Sequence, residues 1–157
     1  MKHLSFAILT LCLFLAIQVS VAQERKFGLG LIIGEPTGIS AKLWTSNENA
    51  FDFGLGWTTF NNQNYPGSRV HFHMDYLWHS FDAIQATERF PIYYGVGGRM
   101  NSGAGYESAL AIRGVVGIAW MPHRTPIDIF LEVVPSLELT PSSGFVLDAA
   151  IGIRYFF

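Results

Sequence analysis

The run His71-Phe72-His73-Met74-Asp75, with His79 further on, gathers the side chains best able to hold a metal or move a proton. Alternate residues of a β-strand share a face about 7 Å apart. Both imidazoles and the carboxylate can therefore meet one ion. Strand spacing is looser than an i, i+4 pair on a helix, and no second ligand cluster accompanies the run. We read these residues as the lining of an interior and assign no metal site. The same histidines bear on nucleophilic catalysis, which needs a serine beside a base. His79 and Ser80 are chain neighbours and point to opposite faces, while His71 and His73 share their face with no serine of their own segment. Ser40 and Ser136 lie on the matching face of other segments, so a dyad across strands stays open, but no motif supports one. We assign no catalytic residue and no cofactor, and expect a protein that is not an enzyme.

These residues sit in one of eight segments whose apolar residues recur with a period of two. The sequence predicts strands at 26–33, 39–44, 50–58, 69–80, 90–100, 109–121 and 127–139, with a closing strand that ends on Tyr155-Phe156-Phe157. Glu35-Pro36-Thr37-Gly38 suits a type I turn between the first two. Pro135 lacks an N–H and predicts a bulge or bend in the seventh. No stretch has a helical period, and no linker divides the chain, so one all-β domain is expected.

Charged residues make up 14% of the chain, against about 25% in ordinary soluble domains. Hydrophobic residues reach 50%, yet past the first residues no apolar run approaches the ~20 that a spanning helix needs. Lys2 and His3 lead the apolar stretch Leu4 to Ile17, and Ser20-Val21-Ala22 has the small residues of a signal-peptidase site. Residues 1–22 are thus expected to be a signal peptide, cleaved near Ala22, and residues 23–157 the mature domain. Cys12, the only cysteine, falls in that leader, so no disulfide is expected. No basic cluster stands out, so no nucleic-acid partner is expected.

One face of the strands collects Lys42, Arg99, Arg113 and Arg154 against Asp52, Asp75, Asp128, Glu132, Glu138 and Asp148, with His71, His73 and His79 between them. The rest of that face is mainly Gly and Ala, too poor in Lys and Glu for a surface in water. The other face is apolar. Large aromatics gather at one set of strand ends (Phe27, Phe51, Trp78, Phe90, Trp120, Phe157), and Trp57, Phe60, Tyr65 and Phe145 fall at the opposite ends. Trp44 fits less well, because it shares a face with Ser40 and Lys42. Backbone polar groups in lipid must pair within the protein, which a sheet achieves only by closing. Eight strands of roughly ten residues suit the smallest such cylinders. The expectation is an eight-stranded antiparallel up-and-down transmembrane β-barrel with a filled polar lumen.

The ending Gly152-Ile153-Arg154-Tyr155-Phe156-Phe157 resembles the C-terminal assembly signal of small OmpA/OmpX-type outer-membrane proteins of Gram-negative bacteria. Ala150 departs from the polar residue usual there. The opening Gly28 to Gly38 with Lys42 resembles a small family of uncharacterised bacterial barrels with a G-x-P-T-G first hairpin. The resemblance implies an outer-membrane location, contact with its lipid, and handling by the barrel-assembly machinery. It implies no activity. A structural or minor surface role is expected. The alternative is a binding or adhesion module with an unknown surface ligand, using the loops at 61–68 and 101–108. A narrow pore or a lipid-modifying enzyme is less favoured.

Overall fold

The computed structural model describes residues 25–57, 70–103 and 108–157. The expected leader, the 61–68 loop with Phe60 and Tyr65, and part of the 101–108 loop lie outside the described residues. Eight strands follow one another: β1 Phe27–Gly34, β2 Thr37–Trp44, β3 Asn49–Trp57, β4 Val70–Ser80, β5 Ile92–Ser102, β6 Ala109–Trp120, β7 Ile127–Thr140 and β8 Gly144–Phe156. Each pairs antiparallel with the next, and β8 returns to β1 from Gly28↔Phe156 to Gly34↔Ala150. The ring therefore has no open edge, and its ladder groups are paired within the chain.

Three features differ from the sequence expectation for physical reasons. β5 begins at Ile92, after Pro91, which has no N–H to give to the ladder. The first turn is centred on Glu35-Pro36, with Gly38 already paired inside β2, so the expected turn over 35–38 is corrected. Gly34 enters that turn at φ 130°, a conformation that side chains disfavour. The Thr37 hydroxyl donates to the Gly34 carbonyl at 3.0 Å and ties the turn. In β7, the register with β6 is the same on both sides of Pro135, and the shift falls instead between Leu110 and Ala111. Pro135 costs only local ladder contacts: the β6–β7 pairing skips Val134 and Pro135.

The period of two sends the two residue classes to opposite sides. Asp128 and Arg113 are 0% and 1% exposed, whereas Leu131 and Ile151 are 53% and 51% exposed. All eight strands contribute large apolar side chains to the outside, among them Leu31, Ile39, Leu55, Phe72, Val96, Ile112, Val133 and Leu147. A monomer in water rarely shows so continuous an apolar surface. Inside, a short apolar cluster of Ile32, Leu77, Tyr93, Val115, Phe130 and Val134 shares the lumen with the charges.

Close approach of neighbouring strands limits what the inner face accepts. A Cβ on Gly30 would strike the Ile153 carbonyl and the Arg154 backbone, while one on Gly98 would meet only the Ala111 carbonyl oxygen at 3.7 Å. Gly30→Ala is therefore expected to lower stability by about 1–3 kcal/mol, as overpacking does. Gly98→Ala is expected to stay within about 0.5 kcal/mol. Urea unfolding of the two variants checks the pair; equal midpoints would contradict the inner-face packing.

Candidate functional site

The lumen is the concentrated chemistry of this fold, and Arg154 is its hub. Its Nε donates to Ser40 Oγ at 2.8 Å. Its Nη2 pairs with Asp52, and its Nη1 reaches Asp128 Oδ2 at 3.3 Å. The guanidinium lies over the Phe130 ring, 3.8 Å from its centre. Three carboxylate or hydroxyl partners and an aromatic face thus meet one planar cation, a use that suits arginine better than lysine. Lys42 supplies the second cation to Asp128 Oδ2, also at 3.3 Å. Its Nζ lies 3.2 Å from His79 Nε2, and His79 Nδ1 lies 3.0 Å from the Glu48 carbonyl. A carbonyl only accepts, so Nδ1 carries the proton and Nε2 accepts from the ammonium.

Register explains how these partners meet. Arg154, Gly30 and Ser40 form one row across β8, β1 and β2. Asp75, Gly97 and Arg113 form another across β4, β5 and β6. Tyr93, Gly117 and Glu132 form a third across β5, β6 and β7. In each row the middle residue is glycine, and a long side chain crosses it to the next strand but one. Arg113 Nε comes within 3.1 Å of Asp75 Oδ2, and the Tyr93 hydroxyl donates to Glu132 Oε2 at 3.0 Å. A Cβ on Gly97 would strike Asp75, and one on Gly117 would strike the Tyr93 ring. The inner glycines are gaps through which the charges find each other.

Asp52 and Asp75 face each other directly across β3 and β4. Like charges so placed repel, and a cation serves each: Arg154 for Asp52, Arg113 for Asp75. Between them stands His73, beside Gly54, whose missing side chain makes room for the imidazole. His71 does not converge on the same point. Its Nε2 lies 2.8 Å from His73 Nδ1, so one ring donates to the other. His79 is taken up at Lys42, and Ser40 by Arg154. The grouping of His71, His73 and Asp75 that strand spacing allows is not formed, and Asp52, His73 and Asp75 meet instead. Nearer the far rim, Arg99 pairs with Asp148 and with Glu138 at 3.1 Å.

At the rim that holds Phe27 and Phe157, the structure assembles what no run in the sequence shows. A cavity of about 630 Å³ is lined by Arg25, Lys26, Arg89 and Arg124 together with Trp44, Phe81 and Phe156. Its basic residues come from three separate stretches of chain. Trp44, the aromatic that fitted the outer girdle poorly, lines this mouth and packs on the His79 ring at 4.5 Å. Beside it, Glu88 joins the 81–91 segment to the 121–126 turn: the His123 backbone N–H donates to its Oε2 at 2.9 Å, and His123 Nδ1 lies 3.2 Å away.

Two expectations follow. Arg154→Met leaves Asp52 and Asp128 buried and short of a cation, and is expected to cost about 3–5 kcal/mol. Adding Asp52→Asn should restore part of that loss in urea unfolding, and strict additivity would contradict the pairing. At the rim, hydrogen bonds from the His123 backbone and ring hold Glu88 below the ordinary 4.5. A lowered carboxylate stabilises the folded contact above its unfolded pKa and loses it as pH falls through the folded value. Side-chain NMR titration should place the Glu88 midpoint under 4.5, with the His123 amide losing exchange protection below it; a midpoint at or above that value would contradict the contact.

Comparison of the chain with protein-family models, curated proteins and solved structures gives no match, so its chemistry is argued from its own residues.

Proposed function

We propose that this chain is a small integral outer-membrane β-barrel of the OmpA/OmpX type, with a lumen sealed by its own side chains and a structural or minor surface role. The observation that carries the reading is the inverted distribution of polarity. Among the described residues, fifteen polar or charged ones are buried, Lys42, Asp128 and Arg154 among them, while large apolar residues of every strand face outward. A cylinder in water would place these classes the other way round. Strands of 8 to 14 residues suit a hydrocarbon layer crossed at a tilt. Tyr155 and Phe157 pack edge to face at 5.2 Å on the outer surface, beside exposed Phe27. Such aromatics suit an interfacial girdle.

Residues 1–22 would direct export, and the Gly152 to Phe157 ending would be read by the assembly machinery. The surrounding lipid is then the chief partner. The ion network fills the cross-section at the level of Arg154 and Arg113, which favours a plug over a pore. Nucleophilic catalysis by the lumen histidines is disfavoured, since His79 is engaged by Lys42 and Glu48, His71 Nε2 by His73, and Ser40 by Arg154.

Cell fractionation should recover the protein with outer membranes, and the band should shift on boiling before electrophoresis. Purified protein in planar bilayers should give little or no conductance. Recovery in the soluble fraction would overturn the membrane reading, and stable openings of porin size would overturn the sealed lumen.

A further inference from the structure

We propose that Asp52, His73 and Asp75 form a binding site for one divalent transition-metal ion, zinc being the ion their donors suit. One ligand atom from each residue lies within 4.8 Å of the other two. His73 Nε2 stands 3.7 Å from Asp52 Oδ2 and 3.9 Å from Asp75 Oδ2. Both separations are beyond hydrogen-bond reach. They are close to the ~3.4 Å that separates two donors each ~2.1 Å from a tetrahedral zinc. A shift of a few tenths of an ångström would close the site.

A second observation points to a ligand. His73 is 0% exposed, and its Nε2 has no hydrogen-bond partner; Asp75 Oδ1 is likewise buried and unpartnered. Buried polar atoms left unpaired cost about 1–3 kcal/mol each. A metal at the site would satisfy the His73 nitrogen and would meet Asp75 through Oδ2. The surroundings are those of a second coordination shell. His71 Nε2 fixes the His73 ring through Nδ1, Arg154 Nη2 holds Asp52 Oδ1 and leaves Oδ2 to the site, and Arg113 Nε anchors Asp75 through Oδ2.

Charge agrees. The lumen holds the cations Lys42, Arg99, Arg113 and Arg154 against six carboxylates. In formal charge, one dication matches that excess of two carboxylates. Its two carboxylate ligands are the pair that repel across β3 and β4, so the ion would staple those strands. Three protein donors leave a fourth position for water. The site needs a closed polar lumen and no membrane location, so it stands or falls apart from the membrane reading.

The full mature chain, unfolded in urea and refolded in detergent micelles with zinc or with a chelator, tests this after desalting. Elemental analysis of the zinc-refolded barrel should find about one zinc per chain, and its urea midpoint should exceed that of the chelated sample. His73→Gln and Asp75→Asn should lose the metal, while Glu138→Gln, whose carboxylate serves Arg99, should keep it. X-ray absorption at the zinc edge needs no variant. It should give one imidazole with oxygen donors near 2.0–2.1 Å. A wild-type barrel that retains no zinc, His73→Gln or Asp75→Asn retaining it, or a shell of two imidazoles would each overturn the proposal.

Discussion

The buried guanidinium of Arg154 and the carboxylates around it set the terms for the rest of the barrel. Charge removed from water is costly unless partners surround it. Arg154 comes from the last strand, Asp128 from the seventh, Asp52 from the third and Ser40 from the second. Asp128 is its direct neighbour on β7, but the contacts with Ser40 and Asp52 are made only when the ring is closed, because β8 must lie against β1 for the side chain to cross Gly30. Closure of the sheet and pairing of the charges are thus one event. Partial closure would leave both an open edge and unpaired ions.

The same rule gives the inner glycines their place. A Cβ on Gly30 would strike the β8 backbone at Ile153 and Arg154, one on Gly97 the Asp75 carboxylate, and one on Gly117 the Tyr93 ring. The lumen is a set of rows in which a long polar side chain, a gap and its partner alternate around the wall. Phe130 follows the pattern with an apolar side chain, lying against Gly152 and under the Arg154 guanidinium. The apolar exterior needs no such matching, since it faces outward and each residue there can vary in shape.

Much of this architecture is legible in the chain. A period of two is a local property, so the eight strands, their inner and outer faces and the burial of Arg113 and Asp128 follow from residue order. Pairing across strands is not local. Asp52 and Asp75 stand in separate segments, and only register makes them opposed. For that reason the run His71, His73, Asp75 suggested ligands along one strand, while the structure turns His71 toward His73 and brings in Asp52. The basic mouth was hidden for the same reason, its arginines being spread from Arg25 to Arg124. Trp44 shares a face with Lys42, and its ring packs on His79 of β4, a neighbour that residue order does not reveal.

In the membrane barrel proposed above, the apolar wall meets acyl chains while the ions stay sealed within. Single-cysteine spin labels at Leu131 and Ile151, in protein reconstituted into phospholipid bilayers, test it most directly; the only native cysteine is Cys12. Relaxation by oxygen, which partitions into lipid, should be strong at both sites, and relaxation by a water-soluble nickel chelate should be weak. Nickel reaching Leu131 and Ile151 as readily as it reaches a label at exposed Thr125 would contradict it.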